Sequence, residues 1–317
     1  MLKLISFQDG AAANCGVVLQ SRDSQLDVLD LTAHAQALIG HGANAKAVTE
    51  MVDAGDLSGL IENSASLMEP LWVLLSNPGD FKARTIASNT LLAPIPKPAR
   101  NIFCVGRNYL KHIEEGDAAR GITTPVPQSP QFFTKPPSTV IGHEGFIEVE
   151  PWVSDKIDYE VELGVVIGKA IRNATLESAM DAVFGYTIMN DVTARDLQRK
   201  HDQWFKGKGL DTFCPIGPYI VTPEEFGDPY DAVIELSVNG QLRQQDNTGH
   251  MHFPMDRIIA DLSQGMTLLP GDVIATGTPS GVGYGMNPPQ FLQPGDVVEC
   301  RISRLGVLRN HVKLRDR

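Results

Sequence analysis

The chain has 317 residues, of which 42% are hydrophobic, and its 27 Lys and Arg against 38 Asp and Glu give a net charge of −11. This length fits one large domain or two unequal ones. The negative balance argues against nucleic acid and against anionic membrane as partners, because both need a basic surface on the protein. A small anionic substrate stays compatible with it, since a local cation attracts such a molecule.

The start of the chain and its cysteines predict a cytoplasmic location. Residues 1–10 contain no long apolar segment of the kind found in secretion signals, and no run approaches the roughly 18 apolar residues of a membrane helix. The four cysteines are scattered without paired spacing, which fits a reducing interior. Cys214 is interpreted as a buried, inert thiol rather than as part of a site.

Residues 1–95 predict a small N-terminal α+β domain. Three strand-like segments are followed by three helical patterns, at residues 2–7, 15–20, 26–32, 33–39, 43–54 and 57–66. Pro94, Pro96 and Pro98 then favour extended backbone and cannot continue a helix, which indicates a boundary. A larger domain over residues 99–317 follows. Its strands outnumber its helices and come with turn signals, as in the hairpin around Asn239-Gly240, so we expect a mostly β architecture.

An acidic stretch at residues 155–168 alternates apolar and acidic side chains, which predicts a single half-buried β-strand. Its polar face presents up to three carboxylates, from Asp158, Glu160 and Glu162. Carboxylates so close together repel one another and resist burial without a cation. Two interpretations remain open from this stretch alone: a site for a hard divalent cation, or a solvated acidic face.

A second acidic position favours the cation. Residues 185–192 predict a strand that ends near Asp191, just before a helix start, and a carboxylate at a strand end is well placed to be a ligand. Glu160, Glu162 and Asp191 together suit Mg²⁺ or Mn²⁺, with room for water and substrate. No cluster of nitrogen or thiolate ligands at zinc spacing lies nearby.

Four separated motifs resemble the fumarylacetoacetate hydrolase superfamily, including its acylpyruvase-like members of bacterial aromatic catabolism. They are IFCVGRNY at 102–109, YEVELG at 159–164, NDVTARD at 190–196 and TGTPSGVG at 276–283. They follow that family's order and approximate spacing over about residues 100–312. The resemblance implies a mixed β-roll or sandwich, one divalent cation per active site and a homodimer.

His112 and Glu115 are three residues apart, so on a helix they share a face. Such a pair is often only a surface pair, but a carboxylate beside an imidazole also orients the ring and raises its basicity. The resemblance implies that this is the water-activating pair. The segment from residue 117 to 130 is poor in apolar residues, and we expect it to move as part of a lid over the ligand.

Lys208 lies in a Gly-Lys-Gly sequence that is not a phosphate-binding loop, because the required preceding Gly and following Ser or Thr are absent. The resemblance implies an active-site lysine that holds a developing enolate oxygen. For Lys135 two interpretations remain: its side chain reaches the site, or it faces solvent. The glycine-rich residues 276–283 predict backbone that approaches a carboxylate closely, with the Thr278 hydroxyl donating to it. The candidates for fixing the ligand are Arg107, Tyr109, Arg195, Gln198 and Thr278.

The main function hypothesis is metal-dependent hydrolysis of a carbon–carbon bond in a β-diketo acid, such as an acylpyruvate, fumarylpyruvate or fumarylacetoacetate. The metal would chelate the keto-acid oxygens, water activated by His112 and Glu115 would attack the distal carbonyl, and Lys208 would help to stabilise the resulting enolate. The alternative uses the same site as an isomerase or decarboxylase of an unsaturated 2-hydroxy or 2-keto diacid, including oxaloacetate. A third hypothesis is a metal-stabilised scaffold without catalysis. A role in aromatic catabolism rests on family analogy.

Overall fold

The computed structural model describes residues 2–22 and 24–315. Its strands are β1 (Lys3–Asp9), β2 (Ala12–Arg22), β3 (Gln25–Asp30), β4 (Arg84–Ala87), β5 (Ile102–Gly106), β6 (Gln131–Lys135), β7 (Val140–Ile141), β8 (Phe146–Val149), β9 (Ile157–Asp158), β10 (Val161–Ile167), β11 (Val183–Asn190), β12 (Thr193–Ala194), β13 (Cys214–Val221), β14 (Val233–Val238), β15 (Gln241–Asn247), β16 (Val273–Ala275), β17 (Val297–Ile302) and β18 (Gly306–Leu314).

The α-helices are short. They are α1 (Ala35–Gly40), α2 (Ala45–Ala54), α3 (Leu57–Glu62), α4 (Ser64–Leu75), α5 (Leu110–Ala118), α6 (Leu176–Ala179), α7 (Arg195–Lys200), α8 (Phe205–Lys208), α9 (Pro223–Phe226) and α10 (Met255–Ser263). Single 3₁₀ turns occupy Pro78–Asp80, Ser88–Thr90, Pro137–Thr139, Met180–Ala182, Thr248–His250 and Gly283–Gly285. The predicted mostly β architecture with short helices is confirmed.

A large mixed sheet runs through the molecule in the order β4-β3-β2-β1-β13-β11-β10-β16-β5-β6, with β7 added beside β13. A five-stranded sheet has the order β15-β14-β17-β18-β8, and β9 pairs with β12. Neighbours are antiparallel except where β5 meets β16, β7 meets β13 and β8 meets β18. The hairpin between β14 and β15 turns at Asn239-Gly240, both with positive φ, as the sequence predicts.

The hydrophobic core lies on both faces of the large sheet. On one face, odd-numbered residues of β10 such as Leu163 pack with residues of the smaller sheet such as Leu236 and Cys300. On the other face, residues such as Val166 belong to a second apolar cluster that also contains side chains of helices α1 to α4. The central strands are therefore covered on both sides by apolar layers.

The N-terminal strands continue the same sheet, since Leu4 of β1 pairs with Ile220 of β13. Residues from both sides of the proline-rich segment also share one apolar cluster, for example Leu4 and Cys104. The division into domains at residues 1–95 and 99–317 stays a prediction. All helices of residues 2–22 and 24–315 are too short or too polar to cross a bilayer.

The acidic stretch differs from its prediction in two ways. It forms two strands, β9 and β10, and every residue of β10 is buried rather than half-buried. The break falls at Tyr159 and Glu160, whose backbone N–H groups are bonded by the side chains of Asp158 (2.9 Å) and Asn190 (3.0 Å) instead of by a neighbouring strand. The alternation itself is present, but the polar face closes over a cavity instead of meeting solvent.

Candidate active site

Three buried carboxylates form the centre of the site. Glu160 immediately precedes β10, Glu162 lies within it, and Asp191 follows the adjacent strand β11. Val161 pairs with Asn190 in the ladder between these strands, so the pairing brings the three side chains together. Each offers an oxygen within 4.8 Å of the others, and all three residues are buried.

Three buried cations surround this cluster. Lys208 Nζ lies 2.6 Å from Glu160 Oε2 and 2.5 Å from Asp191 Oδ2. Arg195 Nη2 lies 2.7 Å from Glu160 Oε1. Lys135 is fully buried and donates to Asp191 Oδ1 at 2.6 Å and to a backbone carbonyl. Lys135 thus belongs to the site rather than to the solvent-facing alternative.

The electrostatics of the cluster are uneven. Burial alone would raise the pKa of Glu160, but Lys208 and Arg195 beside it hold that pKa well below its usual value. Burial, together with the charges of Asp191 and Glu160, raises the pKa of Glu162 well above its usual value. Burial opposes the charge of Lys208, yet Asp191 and Glu160 keep its pKa above the ordinary range. These carboxylates therefore favour the charged ammonium form of Lys208.

The residues present fit a divalent cation. Glu162 accepts a hydrogen bond from the Gly277 N–H (2.7 Å), and among residues 2–22 and 24–315 no cationic side chain pairs with it. A buried carboxylate without a cationic partner is costly. An all-oxygen donor set of three carboxylates is the type that Mg²⁺ and Mn²⁺ prefer, and water or substrate oxygens would complete it.

Asp158 has a structural role instead of joining the cluster. Its Oδ2 accepts from Arg195 Nε (2.9 Å) and from the Tyr284 N–H (3.0 Å), and its Oδ1 accepts from the Gly283 N–H (2.8 Å). The expectation of three carboxylates on one face therefore holds for only two of them. The cause is the break after β9, which directs Asp158 toward the loop 281–285.

The cluster opens into a cavity of about 320 Å³. Its wall contains five cationic side chains against four carboxylates, so with a divalent cation on the triad it would favour an anionic ligand despite the net charge of the chain. The lining residues with ionisable or polar side chains are Arg107, His112, Arg120, Glu160, Glu162, Asp191, Arg195, Gln198, Arg199, Asp202, Trp204, Lys208, Thr278 and Tyr284.

His112 and Glu115 lie on α5, on the lid side of the cavity. His112 Nδ1 is 3.5 Å from Glu115 Oε2, a contact without hydrogen-bond geometry. Both oxygens of Glu115 instead face the backbone N–H of Gly281, at 2.9 and 3.1 Å. The predicted pair is thus adjacent, and its carboxylate also docks the helix onto the loop 281–285.

Tyr284 makes the second contact between this loop and α5. Its hydroxyl donates to the Gly116 carbonyl (2.6 Å), and its ring lies under the guanidinium groups of Arg195 (5.2 Å) and Arg199 (4.8 Å). Gly285 allows the close approach, since a Cβ there would lie 2.5 Å from Glu115 Cγ. The loop therefore connects the cationic wall to the lid helix.

The predicted ligand contacts separate into two groups. Arg107, Arg195, Gln198 and Thr278 line the cavity, whereas Tyr109 lies in the core with 1% exposure and a hydroxyl that has no partner in the described chain. Burial also raises the pKa of Tyr109. The Thr278 hydroxyl donates to the Val161 carbonyl (2.9 Å) and accepts from the Gln244 amide (2.8 Å), so in this structure it does not donate to a carboxylate as the sequence predicted. Cys214 is buried, as expected.

The glycine-rich loop approaches carboxylates closely, as its sequence predicts, but these carboxylates are the protein's own. The N–H groups of Gly277, Gly281 and Gly283 donate to Glu162, Glu115 and Asp158 respectively. The sequence reasoning missed the roles of Tyr284, Asp158 and Arg199. The only available signal was spacing: Arg199 follows Arg195 by four residues, which places both on one face of a helix.

The chain is mostly β and gathers a buried carboxylate triad, a lysine and a histidine around one cavity. Residues 101–313 match the family model described as fumarylacetoacetate (FAA) hydrolase C-terminal. The chain therefore belongs to the fumarylacetoacetate hydrolase family, which confirms the resemblance found in its motifs.

Two relatives of this chain are both named oxaloacetate tautomerases. The oxaloacetate tautomerase YisK of Bacillus subtilis is 49% identical over 223 residues, covering 70% of this chain and 72% of that protein. The mitochondrial oxaloacetate tautomerase fahd2 of Xenopus laevis is 37% identical over 313 residues, covering 98% of this chain and 90% of that protein. The likeness to the second protein thus includes the N-terminal region.

Two solved structures share the fold over nearly the whole length. A fumarylacetoacetate hydrolase from psychrophilic Exiguobacterium antarcticum is 39% identical, with a TM-score of 0.78, covering 99% of this chain and 100% of that one. A maleylpyruvate hydrolase from Sphingobium sp. SYK-6, in complex with manganese(II) and pyruvate, is 28% identical, with a TM-score of 0.73 and the same coverage. A divalent metal in this family agrees with the acidic triad seen here.

Proposed function

We propose that this protein is a metal-dependent tautomerase that interconverts the enol and keto forms of a small 2-keto diacid such as oxaloacetate. The proposal rests on one observation: a buried carboxylate triad, Lys208 and His112 all line the same cavity, whose wall also contains further cationic side chains. The preference for tautomerisation over hydrolysis rests on the two oxaloacetate tautomerases to which the chain is similar.

Glu160, Glu162 and Asp191 would hold the cation, Mg²⁺ or Mn²⁺. When bound, it would supply a Lewis acid that draws electron density from a keto-acid oxygen. Arg195 keeps Glu160 ionised and oriented, and Lys135 orients Asp191 through a hydrogen bond to its Oδ1. These contacts prepare the oxygen ligands before a substrate arrives.

Lys208 and His112 would carry out the proton chemistry. In tautomerisation the enol oxygen at C2 releases its proton to solvent water and C3 receives a proton, so that no atoms are gained or lost overall. The charged ammonium of Lys208 donates a hydrogen bond to the oxygen at C2 as negative charge develops there. His112 lines the cavity from the lid side and delivers or removes the proton at C3.

Hydrolysis of a β-diketo acid is the second candidate, and one observation favours it. His112 and Glu115 are adjacent on α5, 3.5 Å apart, which is the pair that water activation needs. In the present geometry Glu115 is occupied by the Gly281 N–H, so the pair must rearrange before it can activate water. The similarity to a maleylpyruvate hydrolase supports the same candidate. Decarboxylation of oxaloacetate would use the same groups, and its products, pyruvate and carbon dioxide, distinguish it from tautomerisation.

The experiment follows oxaloacetate added mainly as the enol. The protein, supplied with Mg²⁺ or Mn²⁺, should speed the loss of enol absorbance, and malate dehydrogenase with NADH should trap the keto form with no pyruvate or carbon dioxide formed. Pyruvate and carbon dioxide would establish decarboxylation instead. Pyruvate plus a carboxylic acid from an acylpyruvate panel would establish hydrolysis.

A variant separates the two main candidates. His112→Ala should abolish hydrolysis, which needs activated water, and should leave a slower enol–keto conversion. Binding of a metal without turnover of any keto acid would favour the scaffold hypothesis and overturn both the tautomerase and the hydrolase candidates.

Within the proposal, the small anionic keto acid is the partner. The homodimer, the cytoplasmic location and the role in aromatic catabolism remain predictions of the sequence.

A further inference from the structure

Arg199 is a cation in the cavity wall that no carboxylate neutralises among residues 2–22 and 24–315. It is exposed, so it lies on the solvent side of the cavity. In α7 it follows Arg195 by four residues, which is about 6 Å along the helix axis. Arg195 contacts the carboxylate triad, and Arg199 therefore stands one helical turn outward from it.

The other cations of the wall are already occupied. Lys208 and Arg195 pair with Glu160, and Arg120 pairs with Asp117 at 2.6 Å. Arg107 donates to the Thr124 hydroxyl (2.5 Å) and to the Pro125 carbonyl (3.0 Å) of the lid segment. Each of these guanidinium or ammonium groups already donates to the protein, whereas the Arg199 side chain donates to no group among residues 2–22 and 24–315.

Arg199 keeps its hydrogen-bond donors free because its contact is with a ring face. Its guanidinium carbon lies 4.8 Å from the centre of the Tyr284 ring, a cation–π contact that uses none of its N–H donors. Asp202 also lines the cavity, but no ion pair joins it to Arg199 in the described chain; its backbone N–H donates to the Arg199 carbonyl (3.4 Å).

We propose that Arg199, supported by Tyr284, binds the distal carboxylate of the substrate and makes the site selective for dicarboxylic 2-keto acids. The inference rests on the proposed function and extends it to the class of substrate. The keto-acid end would face the triad and Lys208, and the second carboxylate would lie one helical turn outward. A planar guanidinium matches a carboxylate with two parallel hydrogen bonds, and the Tyr284 ring beside it leaves those donors free.

The test compares two four-carbon acids that differ only in the distal carboxylate, oxaloacetate and 2-oxobutanoate. For both, exchange of the C3 protons with D₂O is followed by NMR in the presence of Mg²⁺. Arg199→Gln should raise KM for oxaloacetate by about 10-fold or more and change KM for 2-oxobutanoate by less than about 2-fold, as expected for one charge-assisted pair. Arg199→Lys should recover part of the loss, because it keeps the positive charge but lacks the two parallel N–H donors of the guanidinium.

Lys200→Gln is the matched control, since Lys200 is the exposed neighbour on the same helix and does not line the cavity. It should leave both KM values unchanged. Equal effects of Arg199→Gln on both acids, or no effect on either, would overturn the proposal while leaving the tautomerase intact. Failure of the unmodified protein to exchange either acid would instead overturn the proposed function itself.

Discussion

The carboxylate floor and the lid of the cavity are held in place by different forces. The floor, Glu160 to Glu162 and Asp191, sits between paired strands and is buried with three cations at 2.5–2.7 Å. The lid, α5 and the segment after it, is docked mainly by hydrogen bonds, such as those of Glu115 and Tyr284. Strongly coupled buried charges give a preorganised floor, whereas we expect the few, partly exposed bonds of the lid to let it open.

The largest effect is expected when the floor loses a carboxylate. Glu160→Gln keeps the shape but removes the charge that Lys208 and Arg195 share, so metal binding should be lost and turnover should fall by at least about 100-fold. Breaking a buried pair costs roughly 3–5 kcal/mol, so the melting temperature should also fall. Steady-state kinetics measures the loss of turnover, and calorimetry measures the metal binding and the melting temperature. Glu62→Gln, an exposed carboxylate in α3, is the control, and wild-type turnover in Glu160→Gln would contradict the assignment.

Removing the lysine should separate binding from catalysis. Lys208→Met keeps the length of the side chain and removes the ammonium that competes for Glu160 and Asp191. Turnover should fall about 100- to 1,000-fold, as for the loss of one stabilising donor, while Mn²⁺ binds at least as tightly. Lys206→Met, in the same helix and exposed, is the control. Weaker metal binding in Lys208→Met would show that the lysine supports the metal site rather than the oxygen of the substrate.

A smaller effect is expected at the lid contact. Tyr284→Phe removes the bond to the Gly116 carbonyl and keeps the ring under the two arginines. One such bond contributes about 0.5–1.5 kcal/mol, so kcat/KM should fall about 2- to 10-fold and amide exchange should rise across α5. Tyr230→Phe removes a hydroxyl that accepts from the Met255 N–H, a bond that does not involve α5, and should leave α5 exchange unchanged. Unchanged exchange in Tyr284→Phe would show that this bond does not hold the lid.

The smallest effect concerns pH and the loop after α5. The Thr124 backbone N–H, with the Thr124 hydroxyl and Arg120, lowers the pKa of Asp117 below its usual value. A lowered pKa means that this support is complete above the unfolded value of about 3.9 and is lost as pH falls through the folded value. Protection of the Thr124 amide should therefore persist at pH 5 and weaken below pH 4. Asp117→Asn should show the weakened protection already at pH 5; loss of protection above pH 5 in the unmodified protein would exclude this cause.

The sequence predicted the floor better than the lid, for a physical reason. Alternation along β10 and the strand end at Asp191 are local patterns, and adjacent strands bring their ends together. Burial of β10 on both faces was not predictable from alternation alone, because the smaller sheet and helices α1 to α4 come from distant parts of the chain. The roles of Tyr284 and Asp158 depend on contacts across more than one hundred residues, which no local pattern contains.

Binding of a divalent cation by the floor is the central claim, and calorimetric titration of Mn²⁺ into metal-free protein tests it most directly. One ion should bind per chain, and enol–keto conversion of oxaloacetate should return over the same range of Mn²⁺ concentration. Glu160→Gln should show neither binding nor recovery. Full conversion in the presence of a chelator, or undiminished binding by Glu160→Gln, would contradict the claim.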